Sequence, residues 1–311
     1  MKRFKKILVA TDTRFADHPI VQQAAEIALR NNASLKIVDV VPEFPWTVRM
    51  TLANHEHMRE LIAQEKKTAL EALAEPIRQT GVEVETQALL GKTSIEIIRE
   101  VIRGGYDLVL RVAKGRESTH QGFFGNTGKR LLRKCPCAVW LVAAAAPAKF
   151  QQVLGCVDTS SGSEIDAELN DQVYELASSI GAFYGARFSL LHAWSIWNEQ
   201  MIRTRMKPAE FEVLEKTNHD QIAALLDKFL ETHGTNIRAD NIQMVKGDPP
   251  AAIAEFVCDN HVDLVVMGTV ARSGVTGMFM GNTAEQILDR IECSVLALKP
   301  SSFVSPIRLD D

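Results

Sequence analysis

The chain repeats itself, and this repeat limits the possible folds more than any other feature of the sequence. Three segments recur in the second half without a gap, each 156 residues further on: 106–110 at 262–266, 123–127 at 279–283, and 137–139 at 293–295. Gly91 and Gly247 keep the same spacing. Because one register over roughly fifty residues is hard to obtain by chance, the sequence predicts two copies of one domain.

The earlier parts of the two copies align less tightly. Residues 7–12 correspond to 153–158 at a spacing of 146, and residues 35–40 correspond to 188–193 at a spacing of 153. The difference between the two spacings means that the second copy carries about seven extra residues, around 159–166.

A chain of 311 residues is long for one hydrophobic core and suits two domains of about 150 residues each. Residues 143–148 are small residues with a proline that follow an apolar run, which is typical of a linker. We therefore expect one domain at 1–145 and a second at 146–311.

Each copy alternates short apolar segments with longer amphipathic ones. In the first copy these predict strands at 7–10, 35–41, 82–89, 108–112 and 138–142, and helices at 20–31, 55–80, 94–103 and 127–134. Strands that are apolar along their whole length are typical of parallel sheets buried on both faces. The sequence predicts an α/β fold: two tandem doubly wound domains, each a five-stranded parallel sheet flanked by helices.

Composition and charge argue against several classes of function. The formal net charge is -4, and only a short basic run occurs, at the N-terminus, so we expect no nucleic-acid partner. Apolar runs fall short of the roughly 18–20 residues of a membrane span, so we expect no membrane partner and a cytoplasmic location.

The five cysteines also favour a reducing compartment over a disulfide framework. Cys135 and Cys137 form a CxC pair rather than CxxC, and no second pair accompanies them. Because Cys137 has a counterpart in Cys293, we interpret these cysteines as buried strand thiols.

An aspartate ends the first strand of each copy, Asp12 in the first and Asp158 in the second. Open α/β sheets bind ligands beyond the carboxyl ends of their strands, where the strand order reverses. At that point an aspartate is placed to accept hydrogen bonds from an adenine or a ribose. A helix N-cap or an ordinary loop residue is an equally good interpretation.

A glycine-rich segment, residues 268–283, follows the predicted strand at 263–267 and precedes a predicted helix at 284–290. Glycines permit a tight turn whose peptide N–H groups point inward, an arrangement that suits phosphate. Asn282 and Thr283 then lie at a helix N-terminus, where an anion is favoured, although both side chains are also ordinary N-cap residues.

The spacing Gly268-x-x-Ala271-x9-Gly281-Asn282-Thr283 resembles the G-x-x-G-x9-G-(S/T/N) signature of the universal stress proteins. The resemblance covers essentially the whole chain and is strongest to family members with two domains. It implies the fold of that family, which is similar to adenine nucleotide α-hydrolases, with the two domains associated as a pseudo-dimer.

The resemblance also implies a ligand, ATP with Mg²⁺. In ATP-binding members the aspartate after the first strand contacts adenine, and a small apolar residue after the second strand supplies backbone contacts. These positions are Asp158 and Ala193 in the second copy, and Asp12 and Val40 in the first. The glycine motif binds the phosphates, and we include Arg272 in that candidate set.

Both copies depart from the family signature. The second has Ala271 where the signature has its second glycine. The first has Val112 in place of Gly268, although four further candidates remain there, namely Gly115, Gly125, Asn126 and Thr127. A branched side chain restricts the turn and crowds the phosphates. We therefore expect nucleotide binding mainly in the second domain.

Two other functions stay open. Apolar residues between strand and helix predict either a pocket for an apolar, lipid-like ligand or a surface that packs the two domains together or forms a dimer interface: Phe44, Trp46, Val48, Met50 and Leu52 in the first copy, and Trp194, Ile196, Trp197, Met201, Ile202 and Met206 in the second. The incomplete motifs in both copies are also consistent with an interaction protein whose nucleotide sites are relics. A further homodimer is compatible with either function.

Catalytic machinery is not evident in the sequence. Ser273 beside Arg272 has no evident base, and no Ser/His/Asp grouping stands out. The histidines are scattered, so we expect no metal site of side chains. We predict a ligand-binding protein with weak ATP hydrolysis at most, and not a turnover enzyme.

Overall fold

A computed structural model of the protein describes residues 3–51, 54–114, 123–234, 238–269 and 280–309. Contacts divide it into two compact units: unit 1 runs up to Ala148 and resumes at Ser294, whereas unit 2 starts at Lys149 and includes Met280–Cys293. Four candidates lie outside the described residues, so their roles stay predictions: Gly115, Ala271 and Arg272 of the nucleotide sets, and Leu52 of the apolar set.

Unit 1 alternates strands and helices as the sequence predicts. Its elements are β1 (Lys6–Ala10), α1 (Pro19–Asn31), β2 (Ser34–Val41), α2 (Trp46–Thr51), α3 (His55–Arg78), β3 (Val84–Leu90), α4 (Thr93–Gly104), β4 (Leu108–Val112), α5 (Asn126–Lys134) and β5 (Ala138–Val142). The short helix α2 was not predicted. Gly105 ends α4 in the left-handed conformation, with φ 64°, as glycine allows without strain.

The unit 1 strands form a parallel sheet in the order β3-β2-β1-β4-β5. The order reverses between β1 and β4, which defines a doubly wound sheet. Strand β1 is buried at every position except its first residue, whereas edge strand β3 has exposed residues at Glu85, Gln87 and Leu90. These patterns confirm the doubly wound α/β prediction for the first copy.

Unit 2 repeats this plan. Its elements are β6 (Gln152–Cys156), α6 (Glu164–Tyr184), β7 (Arg187–Trp194), α7 (Glu199–Arg205), α8 (Pro208–His233), β8 (Ile242–Lys246), α9 (Pro249–Asp259), β9 (Leu264–Gly268) and α10 (Asn282–Leu288). Four strands pair in parallel in the order β9-β6-β7-β8, so the reversal lies between β6 and β9.

The last strand, β10 (Ser294–Leu298), belongs by its contacts to unit 1, although the repeat assigns it to the second copy. There it runs antiparallel to β5, with Leu296 opposite Trp140. The sequence predicts this strand but not its antiparallel partner. Its pairing covers the edge that β5 would otherwise present. Every residue of β10 is buried.

The apolar residues predicted to form a pocket or a packing surface divide into two groups. Trp194 and Ile196 are buried in a cluster with Phe211 of α8, and Ile202 packs against it. Trp46, Met50 and Trp197 are exposed instead. Trp194, Ile196 and Ile202 therefore pack within unit 2, against α8, whereas the apolar-ligand pocket and the domain or dimer interface both stay predictions. None of the described helices is long and apolar enough to cross a membrane.

Candidate functional site

Six candidates of the second copy line one cavity at the carboxyl ends of the unit 2 strands: Asp158, Ala193, Gly268, Gly281, Asn282 and Thr283. The cavity volume is about 430 Å³, within the range of roughly 300–1,000 Å³ that is typical of small-molecule sites. The cavity lies beyond β6 and β9, where the strand order reverses, which is where open α/β sheets bind ligands.

The side chain of Asn170, on α6, fixes the backbone at Asp158. Its Oδ1 accepts the peptide N–H of Asp158 at 3.0 Å, and its Nδ2 donates to the Asp158 carbonyl at 2.8 Å. The carboxylate Oδ1 of Asp158 accepts the peptide N–H and the hydroxyl of Ser160, at 3.0 and 2.6 Å. These contacts form an Asx turn that orients the Asp158 carboxylate at the cavity wall.

His192 anchors the loop that follows Asp158. Thr159 donates its peptide N–H to His192 Nδ1 at 3.4 Å, and its Oγ1 lies 3.3 Å from the same nitrogen. His192 is 1% exposed, and burial lowers its pKa to about 4, so the ring is neutral at pH 7. In unit 1 the equivalent Thr13 donates to Asp39 in the same way, at 2.8 and 2.7 Å. The contact therefore recurs as a loop anchor and not as a catalytic pair.

The depressed pKa of His192 predicts a pH dependence of stability. As the pH falls from about 6.5 to about 4, the unfolded chain takes up a proton at this site and the folded protein does not. The free energy of unfolding therefore falls by about 3 kcal/mol over that interval because of this residue alone. In a His192→Gln variant that contribution disappears, while the amide oxygen still accepts from Thr159.

The measurement is urea unfolding of wild type and His192→Gln at pH 7, 5.5 and 4. We expect the wild type to lose more stability than the variant on acidification. If the free energy of unfolding changed equally with pH in the two proteins, His192 would have the same pKa in the folded and unfolded states, which would contradict the prediction.

The extra residues of the second copy lengthen a helix. Helices α1 and α6 end at equivalent residues, but α6 has 21 residues and α1 has 13. The added turns carry Asp166 and Leu169 to the cavity wall. A Cβ atom at Gly268 would lie 3.1 Å from Leu169 Cδ1, so the missing side chain of this glycine lets α6 approach β9 closely.

The glycine before the last helix of each copy makes the same contact. Gly281 donates its N–H to the Thr269 carbonyl at 3.1 Å, and Gly125 donates to the Ala113 carbonyl at 2.8 Å. Gly281 is itself the N-cap of α10, and no side-chain hydrogen bond caps that helix. Asn282 and Thr283 are therefore not N-cap residues; both are exposed and line the cavity. In unit 1 the equivalent Asn126 is also exposed.

In unit 1 an arginine forms an ion pair with the carboxylate of Asp12. Arg14 donates from Nε to Oδ1 at 2.9 Å and from Nη2 to Oδ2 at 2.6 Å, a two-point contact. Burial raises the pKa of Asp12, but the hydrogen bonds and charge of Arg14 outweigh it and hold the pKa below its usual value. Both oxygens that would meet an adenine are thus already engaged.

A buried ion pair lies beside Asp12 in unit 1. Lys66 of α3 donates to Asp39 Oδ2, and these side chains are only 9% and 6% exposed. Asp39 Oδ1 accepts the peptide N–H of Val40 at 2.6 Å, so the backbone donor of that candidate is also used. Burial lowers the pKa of Arg111, which interacts electrostatically with Asp39 and Asp12. Charged side chains of unit 1 therefore lie at the carboxyl ends of its strands and contact one another there.

Unit 1 has a cavity of about 230 Å³ that also lies at the carboxyl ends of its strands β1 and β4. Asp12 and Arg111 line it together with the start of α1, residues 142–144 and residues 146–148. Four of the weaker candidates are not among its lining residues: Val40, Gly125, Asn126 and Thr127. Within the described chain, unit 1 therefore does not gather its candidates around one cavity as unit 2 does.

Sequence reasoning missed four charged residues of unit 1, Arg14 among them, and one amide of unit 2. Asp39 and Arg111 are charges inside otherwise apolar strands, and this departure from the buried-strand pattern is a signal that could have found them. Lys66 carries no such signal, because it is one of many charges on a 24-residue helix. Asn170 is a polar residue on the buried face of α6, which is a weaker signal.

The fold and the cavity define a tandem, doubly wound α/β protein with a ligand-sized crevice at the switch point of unit 2. Residues 3–143 and 149–299 each match the Universal stress protein family. The chain belongs to this family and contains two of its domains. The resemblance inferred from the glycine motif is thereby confirmed.

Comparisons with individual proteins agree. Universal stress protein E of Escherichia coli (strain K12) is 27% identical over 320 aligned positions, covering 100% of this chain and 99% of that protein. A functionally unknown protein from Pseudomonas aeruginosa PAO1 has a similar fold, with a TM-score of 0.74, 20% identity, and 96% and 94% of the two chains covered. A universal stress protein from Archaeoglobus fulgidus DSM 4304 has a TM-score of 0.60 at 15% identity, covering 94% and 98%.

Proposed function

We propose that unit 2 binds an adenine nucleotide, ATP with Mg²⁺, and that the protein is a cytoplasmic stress-response protein that acts as a ligand-sensing or protective factor. The observation that carries the proposal is the convergence of six second-copy candidates on one cavity of about 430 Å³. The resemblance to ATP-binding universal stress proteins predicts these same positions.

The roles within the cavity follow from its chemistry. The oriented Asp158 carboxylate accepts hydrogen bonds from the adenine amino group or the ribose hydroxyls. Ala193 leaves room for the base, because its methyl group is the smallest side chain that the wall could carry after glycine. The phosphates lie toward Gly268 and Gly281, with the amide of Asn282 and the hydroxyl of Thr283 as donors. Mg²⁺ arrives with the triphosphate and is held mainly by it.

The same geometry favours binding over turnover. The Thr159–His192 contact has the composition of a hydroxyl–imidazole pair, but the ring is buried and has the anchoring role that Asp39 has in unit 1. We therefore assign the protein no catalytic residues and at most weak ATP hydrolysis.

Isothermal titration with ATP and Mg²⁺ tests the proposal. We expect one site per chain, lost or weakened at least about tenfold by Asp158→Ala, because a hydrogen bond to a charged group contributes about 1.5–3 kcal/mol. Asp12→Ala is the matched control at the equivalent position of unit 1, and we expect it to bind as the wild type does. Absence of heat with wild type, or an equal loss in both variants, would contradict the proposal.

A second candidate function is the binding of an apolar anion in the unit 1 cavity. Its lining includes two cations, Arg111 and Lys114, three carboxylates, Asp12, Asp17 and Glu26, and alkyl groups of Ala144, Pro147 and Ile20. Arg14 engages the Asp12 carboxylate. Arg111 and Lys114 are therefore the groups that a ligand carboxylate or phosphate would meet, with its apolar body against the alkyl groups.

Native mass spectrometry of the purified protein tests this candidate. A carried anion should be present in wild type and lost in Arg111→Met, with Asp158→Ala as the control that keeps it. If neither this ligand nor a nucleotide binds, the remaining interpretation is an interaction protein with relic sites.

A further inference from the structure

Two cysteines of unit 1 lie side by side where α5 ends and β5 begins. The Sγ atoms of Cys135 and Cys137 are 3.5 Å apart and hydrogen-bonded. Pro136 between them restricts the backbone that sets this distance. Cys135 is fully buried and Cys137 is partly exposed, so the approach to the Cys135 sulfur lies on the side of Cys137. The interpretation of these residues as independent buried thiols did not include this contact.

A buried lysine accompanies the pair. Lys299, directly after β10, is 7% exposed, and its Nζ has no hydrogen-bond partner in the described part of the chain. The ring of Phe303 lies 4.8 Å from this atom. Burial lowers the pKa of Lys299 to about 8, and the charge of Cys135 opposes that change. An ammonium that is buried without hydrogen bonds is costly, and a thiolate at Cys135 supplies the missing counter-charge.

The surroundings make the two sulfurs unequal. Burial raises the pKa of both thiols. At Cys135 the hydrogen bonds from Cys137 and the charge of Lys299 outweigh burial, so its pKa lies below the usual value. At Cys137 the charges of Cys135 and Asp107 add to burial, so its pKa lies well above it. The Ala138 carbonyl oxygen, 3.4 Å from the Cys137 sulfur, is the alternative acceptor for the single proton of this thiol. The pair is polarised toward one thiolate and one thiol.

We propose that Cys135 and Cys137 form an oxidative modification site, at which hydrogen peroxide converts the dithiol into an intramolecular disulfide. The Cys135 thiolate attacks one peroxide oxygen, the O–O bond breaks, and the departing hydroxide takes a proton to become water, leaving a sulfenic acid. The Cys137 sulfur then attacks the Cys135 sulfur, the S–O bond breaks, and the second hydroxide leaves with the Cys137 proton as water. The dithiol is oxidised by two electrons and the peroxide is reduced to two waters.

The movement required is small. The sulfurs are 3.5 Å apart, and a disulfide bond of about 2.05 Å brings them roughly 1.5 Å closer. The repeat supplies a natural comparison, because Cys293 is equivalent to Cys137 but Ile291 stands where Cys135 would be. Burial raises the pKa of Cys293 to about 12, so this thiol should be unreactive. Cys258 is exposed and serves as the ordinary thiol of the same chain.

The experiment treats the full-length protein with hydrogen peroxide, blocks remaining thiols with iodoacetamide, and digests with trypsin. Cleavage after Lys134 and Lys149 places both cysteines in one peptide. We expect the disulfide form of this peptide to be two hydrogens lighter and not to be alkylated. We also expect it to form faster than the Cys258 peptide is oxidised. Reduction before alkylation should restore both thiols. Oxidation of the pair no faster than that of Cys258, or products other than the disulfide, would overturn the proposal.

Two variants separate the parts of the site. Lys299→Met removes the ammonium, and we expect oxidation of the pair at pH 7 to slow about tenfold, the effect of roughly one unit in the pKa of Cys135. Cys293→Ser is the matched control and should leave the rate unchanged. An unchanged rate in Lys299→Met would refute the role of the lysine. The oxidation rates of the Cys135–Cys137 pair and of Cys258 are compared in the wild-type protein. This comparison therefore tests the main proposal even if a variant folds poorly.

Discussion

Replacing Lys66 by methionine is expected to lower the free energy of unfolding of the protein by about 3 kcal/mol. The substitution leaves the Asp39 carboxylate, only 6% exposed, without the ammonium that it contacts. Breaking a buried ion pair by removing one partner costs about 3–5 kcal/mol. We expect the lower end of that range, since Arg111 remains near Asp39 and keeps part of the compensating charge.

The double variant Asp39→Asn/Lys66→Met is the control for this prediction. The asparagine amide carries no charge, and its oxygen still accepts from Thr13, so more than half of the lost stability should return. Urea unfolding of the wild type, both single variants and the double variant completes the cycle. A loss below about 1 kcal/mol in Lys66→Met would mean that the pair is well hydrated and does not fill the unit 1 crevice.

Replacing Gly268 by valine, the residue that unit 1 has at this position, is expected to impair both folding and ligand binding of unit 2. The new Cβ would lie 3.1 Å from Leu169 Cδ1, and the two methyl groups beyond it need further space. Overpacking of this kind costs about 1–3 kcal/mol. The methyl groups also enter the cavity beside the predicted phosphate position, so we expect ATP affinity to fall at least about tenfold.

Two further variants separate the effects. Leu169→Ala combined with Gly268→Val should recover stability, because it removes the contacted side chain, but not affinity. The reciprocal Val112→Gly in unit 1 should not create a site, because Arg14 still engages both oxygens of Asp12. Thermal unfolding and isothermal titration of the four proteins measure these outcomes. Gain of a second ATP site in Val112→Gly would show that the glycine alone decides binding.

Most of the fold follows from the sequence, because buried parallel strands are apolar throughout and the helices between them are not. The described strand bounds differ from the predicted ones by no more than two residues in the first copy, as at β3, predicted at 82–89 and found at Val84–Leu90. The antiparallel pairing of β10 with β5 was not predictable. A strand buried on both faces has the same sequence pattern in either direction, so the partner depends on distant parts of the chain.

The candidate site was predictable to a smaller degree. The repeat and the glycine spacing identify Asp158, Gly268 and Gly281, because backbone turns leave a signature in residue type. They do not identify Asn170 or the Arg14 contact to Asp12, since these depend on side-chain packing between elements. The valine in unit 1 predicted a weaker site there. The structure adds a stronger reason, which is that charged side chains of unit 1 occupy the equivalent positions.

Photoaffinity labelling with 8-azido-ATP tests most directly the claim that the nucleotide site belongs to unit 2. After irradiation with Mg²⁺ and proteolysis, labelled peptides are located by mass spectrometry, with excess ATP as competitor. We predict competable label only within residues 149–293, near Asp158 and Ala193. Competable label near Asp12 and Val40, at a level equal to or above that in unit 2, would contradict this claim.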